Sequence, residues 1–131
     1  MIKRKFTAVT LCLMLYFMPA YGSAGTAYES YGVGSESCGT YLQHYHNRNT
    51  LYDSSSYFDD ASWVEGWLSA SNQMFKNYNG RPITDLLHNT DINGAMLWIA
   101  NYCNVHPLKS LYRASSELAV HLFLSQYESS K

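Results

Sequence analysis

Five histidines and ten carboxylates are the residues through which this chain could do chemistry. His44 and His46 are the closest pair of imidazoles. On a helix, two positions apart, their side chains point about 200° away from each other rather than converging. His106 precedes Pro107 and reads as a helix-end residue whose charge suits carbonyl ends. His121 borders an apolar stripe, and His88 falls in a connection. Asp59 and Asp60 are adjacent acids at the expected start of a helix, where negative charge is favoured. Asp85 and Asp91 also fall at turn or cap positions. Ser54, Ser55 and Ser56 lack the glycine framing of a nucleophile elbow. There is no phosphate-cradling glycine loop and no dinucleotide fingerprint. The reading is therefore no catalytic residue, no metal ligand set and no cofactor. A small hydrolase is the residual enzymatic alternative, with no nucleophile–base pair behind it.

The first 24 residues carry a different message. Lys3, Arg4 and Lys5 precede an almost wholly apolar stretch over residues 6–18. Pro19, Ala20, Tyr21, Gly22, Ser23 and Ala24 then supply a breaker and small residues. This is the three-part layout of a secretory signal peptide, cleaved after Gly22 or Ala24. Thirteen apolar residues fall short of the ~20 that span a bilayer. Cys12 lies inside that stretch behind Leu11, which does not suit a lipid anchor. The expected location is periplasmic or secreted, with no stable membrane anchor.

Removal of this segment leaves six basic residues against all ten acids, a balance of −4 where the whole chain carries −1. Such a balance argues against nucleic acid as a partner. Cys38 and Cys103 are then the remaining cysteines. An even pair in an exported chain is expected to form one disulfide, with two buried free thiols as the alternative.

The elements follow from periodicity. Residues 25–36, rich in Ser and Gly, read as a flexible arm. Ser37 is placed to cap a first helix whose apolar face is Cys38, Tyr41, Leu42 and Tyr45. Residues 47–56 are polar and turn-rich. A second helix over about 58–77 carries Trp63, Val64, Trp67, Leu68, Ser71, Met74, Phe75 and Tyr78. Gly66 within it is expected to permit close approach of another helix. Asn79, Gly80, Arg81 and Pro82 break the pattern, and residues 83–88 can form one short turn. Thr90 or Asp91 caps a third helix with Ile92, Ala95, Met96, Ile99, Tyr102 and Cys103 on its face. Pro107 stops it and suits the first turn of a fourth, carrying Leu108, Leu111, Tyr112, Ser115, Leu118, Ala119 and Leu122, with Phe123 as a further candidate. The expected fold is all-α: a single-domain four-helix bundle over residues 37–127 with one disulfide, Cys38–Cys103. That bridge joins the start of the first helix to the end of the third and makes them antiparallel.

With 131 residues and twelve tyrosines, the chain has more tyrosine than one small core needs. Tyrosine is enriched in recognition surfaces because it offers large contact area with few rotatable bonds. Tyr52, Tyr57 and Tyr78, with Asp59 and Asp60, form the expected partner-facing patch.

Ser37-Cys38-Gly39, Trp63-x-x-Gly66-Trp67-Leu68-Ser69, Trp98-Ile99-Ala100-Asn101-Tyr102-Cys103 and His106-Pro107-Leu108, followed by Ala114 and Leu118, resemble a pattern in small exported proteobacterial proteins. More distantly the pattern is similar to periplasmic immunity proteins that neutralise peptidoglycan-cleaving effectors of type VI secretion. It looks loosely like the single-disulfide acid-stress chaperones of the periplasm. The resemblance implies a non-enzymatic module that binds another protein, an envelope-active or secreted enzyme in the sharpest form. An acid-stress chaperone, an accessory protein of a conjugation or secretion system, and self-association into a homodimer are the alternatives.

Overall fold

The computed structural model describes residues 30–50, 54–76 and 85–129. The signal segment, Tyr52, Tyr78 and the break at residues 79–82 lie outside the described residues. The chain is all-α, built from α1 (Cys38–Asn47), α2 (Ser54–Phe75), α3 (Ile92–Val105) and α4 (Leu111–Ser129), with a short 3-10 turn at Gly32–Ser35 before them. Among the described residues no strand forms, apart from one isolated bridge between Ser37 and Ser110. No helix among them is long and apolar enough to cross a membrane.

Each start signal works through its own hydrogen bond. The Ser37 side chain accepts from the Thr40 N–H at the head of α1. Asp91, rather than Thr90, caps α3 by accepting from the Gly94 N–H, and Ser110 accepts from the Arg113 N–H at the head of α4. These bonds satisfy donors that a helix N-terminus cannot satisfy internally. The α2 helix begins at Ser54, so the three serines expected in a loop are helical.

The core is a continuous cluster including Tyr41, Val64, Leu68, Met96, Ile99, Leu111 and Leu118, with all four helices contributing. Tyr41 donates its hydroxyl proton to the Met96 carbonyl at 2.7 Å, which removes the penalty of burying a phenol. Cys38 and Cys103 are bonded. Together the bridge and the Tyr41 bond fix α1 and α3 antiparallel, since successive residues of α1 meet earlier turns of α3. Leu86, from the segment before α3, is buried. Its N–H is held by Asn72 of α2 and its carbonyl by Gln126 of α4.

Four further sequence expectations change. Residues 32–36 of the presumed arm are packed into the fold: Gly34 is buried against the Trp63 ring, where an added Cβ would stand 2.1 Å from Cζ2. Gly66, by contrast, faces open space, with nothing within 4 Å of an added Cβ. The close approach belongs to Gly34. Met74 is 75% exposed, at the edge of the α2 stripe rather than in the core. Leu108 precedes α4 and is exposed, for a reason that bears on the site below.

Candidate functional site

Two features stand out on this scaffold. The first is a cluster of Glu36, His44 and Asp60 from three different segments. Glu36 precedes α1 and has its backbone fixed at both ends, its N–H donating to the Val33 carbonyl and its carbonyl accepting from the Leu111 N–H. His44 lies one turn beyond Tyr41, on the flank of α1 that meets α2. Asp60 lies one turn before Val64, on the buried stripe of α2. These registers bring His44 Nδ1 to 2.8 Å from Asp60 Oδ2 and 3.8 Å from Glu36 Oε2.

Asp60 is wholly buried, with 0% exposure, and so is removed from the partner-facing patch expected of it. Its position in the α2 stripe overrides the solvent preference of a carboxylate. Burial pushes its carboxyl up to about 6; the His44 hydrogen bond and charge oppose the shift, and Glu36 and Asp59 reinforce it. Two oxygens of the cluster, Asp60 Oδ1 and Glu36 Oε2, are buried without a hydrogen-bond partner. One imidazole nitrogen and two carboxylates thus converge, with ligand atoms all within 4.8 Å of one another. Of the two imidazoles compared in sequence, His44 joins this grouping, while His46 is exposed on the other face of α1. The missing half of the pattern was carboxylate, supplied across helices where local spacing carries no signal.

Beside the cluster lie aromatic groups of α1 and α2. Tyr57 is half-buried, its ring 6.1 Å from Tyr45 and 6.3 Å from Phe58, and burial raises its phenol above the ordinary value. Arg48 sits over the Tyr45 ring at 4.3 Å, close enough for a cation–π contact. Asp59 and Phe58 are exposed. Of the expected partner-facing residues, the structure thus brings Tyr57 and Asp59 to one end of α2 and places Asp60 beneath them.

The second feature is the tip of the α3–α4 hairpin. Val105 is 73% and Leu108 95% exposed, with His106 and Pro107 exposed between them. The loop that carries them is nevertheless held. The Pro107 carbonyl accepts from Gly39, the Lys109 carbonyl accepts from Cys38 at 2.7 Å, and the Lys109 N–H donates to His106. Those carbonyls face the head of α1, so α4 cannot begin before Ser110, and Leu108 is turned outward. A ring stack runs up to the same tip: His121 on Trp98 (5.4 Å), Trp98 on Tyr102 (5.7 Å) and Tyr102 on His106 (4.3 Å). His106 Nδ1 lies 3.0 Å from the Tyr102 carbonyl, which makes it the protonated nitrogen and fixes the ring. In sequence, Leu108 had the spacing of a core residue, and only the tertiary bonds to α1 distinguish it.

In comparisons with known proteins, no family model, curated protein or solved structure matches the chain.

Proposed function

We propose that this chain is an exported, periplasmic, non-enzymatic module that binds another protein, in the manner of an immunity or inhibitor protein. The observation that carries this reading is the tip of the α3–α4 hairpin. Exposed large apolar side chains are ordinary when scattered, but Val105 and Leu108 flank a rigid turn. Backbone bonds to α1, together with the Cys38–Cys103 bridge beside them, hold that turn. Apolar residues on a preorganised loop suit insertion into a concave enzyme surface, because little conformational freedom remains to be lost on binding. Tyr57, Phe58 and Asp59 at the start of α2 offer a second, flatter contact area of the composition that interfaces favour. The partner class is a secreted or envelope-active enzyme whose substrate cleft the tip would occupy.

The test is capture of a partner by the full chain, followed by native mass spectrometry. Envelope and culture fractions of the producing organism and of its competitors are the source. A defined complex with one enzyme is expected. A V105D/L108D double variant should lose that complex while keeping its stability to within about 0.5 kcal/mol, since both side chains are solvent-facing. Recovery of no stable partner, or undiminished capture by the double variant, overturns the reading.

A further inference from the structure

We propose that Glu36, His44 and Asp60 form a binding site for one divalent transition-metal ion of the zinc class. The inference stands apart from the protein-binding reading and rests on the cluster alone. Its donor set, one imidazole nitrogen and two carboxylates, is a recognised combination for such ions, and three protein ligands leave one position open. Around a tetrahedral ion with bonds of about 2.0–2.1 Å, ligand atoms stand roughly 3.3–3.4 Å apart. The separations of 2.8 Å and 3.8 Å from His44 Nδ1 to the two carboxylates straddle that value. Seating an ion requires the three ligand atoms, now within 4.8 Å of one another, to draw together by up to about 1.4 Å, within the reach of side-chain rotation.

A second, independent observation points to a ligand. Asp60 is 0% exposed, yet its Oδ1 has no hydrogen-bond partner; Glu36 Oε2, on a partly exposed side chain, likewise accepts no hydrogen bond. Buried polar atoms are nearly always satisfied, and a bound ion is one standard reason for an exception. Charge argues the same way. Two carboxylates facing a single imidazole are under-neutralised, and a dication balances them. The ion would tie the segment before α1 to α1 and α2, whereas the disulfide ties α1 to α3. The two crosslinks are complementary.

The protein for the test is the full chain, produced without a histidine tag in an exporting host, oxidised, and stripped with a chelator that is then removed. Zinc is titrated at pH 7.5 by calorimetry, and cobalt is used as a visible-absorption reporter of coordination. One ion per chain is expected, with zinc displacing cobalt. Glu36→Gln, His44→Gln and Asp60→Asn should each weaken binding by more than ~100-fold, beyond the usual effect of losing an outer-shell partner. His46→Gln, on the exposed face of α1, should bind as the wild type does. X-ray absorption on the zinc-loaded wild type supplies a readout that does not depend on any variant folding: one imidazole with oxygen ligands is expected. No binding at 1:1 stoichiometry overturns the proposal. So does binding that survives Asp60→Asn and His44→Gln, or a spectrum showing two or more imidazoles.

Discussion

Asp60 makes a prediction whose sign is as informative as its size. Its carboxyl rises from an ordinary 3.8 to about 6 in the fold, chiefly through burial. The native state therefore holds this proton more tightly than the unfolded chain does. The stability contributed by Asp60 is complete below about pH 4 and is lost as pH rises through about 6. A gap of roughly two pH units corresponds to about 3 kcal/mol. The variant that isolates it is Asp60→Asn, which keeps an oxygen to accept from His44 and cannot titrate. Urea unfolding of the oxidised protein is measured by circular dichroism at pH 4 and pH 7.5, with chelator present throughout. Titrating groups remote from Asp60 cancel in the difference. The stability of the wild type relative to the variant should increase by about 2–3 kcal/mol on acidification. A difference that does not change with pH refutes the reasoning. A difference that falls with acid means that His44 holds Asp60 ionised. In that case acid would open this end of the bundle, which is the behaviour an acid-activated chaperone needs.

Three further outcomes are expected. Replacing Cys38 and Cys103 with serine frees a loop with a separation of 65 residues and should lower stability by about 4 kcal/mol in the chain-entropy treatment, read from denaturant unfolding of the variant against the oxidised wild type. Gly34→Ala forces a methyl group into the Trp63 ring and should cost about 1–3 kcal/mol, with a change in near-ultraviolet dichroism as Trp63 shifts against Trp67. Gly66→Ala, in the open interior of α2, should instead gain about 0.5–1 kcal/mol, visible as a higher melting temperature.

Helices were legible in the sequence wherever a period of 3.6 coincided with a cap. Ser37 and the Cys38–Tyr41–Leu42–Tyr45 face gave α1. Thr90 or Asp91, with the Ile92-to-Cys103 face, gave α3. The pairing of Cys38 with Cys103, and with it the antiparallel sense of α1 and α3, followed from having two cysteines left. What was not legible is tertiary. The α2 stripe of Val64, Leu68 and Ser71, continued back one turn, lands on Asp60, yet a carboxylate beside Asp59 at a helix start invites a capping interpretation. In sequence His44 stands beside His46, whereas its partners in the fold come from α2 and from the segment before α1. Gly66 and Gly34 illustrate the same limit: a glycine signals backbone approach only when the element that approaches it is known.

The cluster and the hairpin tip, although they concern different chemistry, share one anchor. Glu36 contributes its side chain to the cluster while its carbonyl holds the Leu111 N–H at the head of α4. Two residues later Cys38 bonds to Cys103, and the N–H groups of Cys38 and Gly39 hold the Lys109 and Pro107 carbonyls of the tip. A helix N-terminus leaves its first N–H groups without internal partners. Here α1 spends two of them on the loop that exposes Leu108 instead of on water. The loop is thus ordered when the protein folds, before any partner arrives, so the entropy of fixing it is absent from the binding equilibrium. That is the physical basis on which an apolar side chain stands almost fully in solvent on a held turn, and the proposed binding at this tip would depend on the oxidised bridge as well as on Val105 and Leu108.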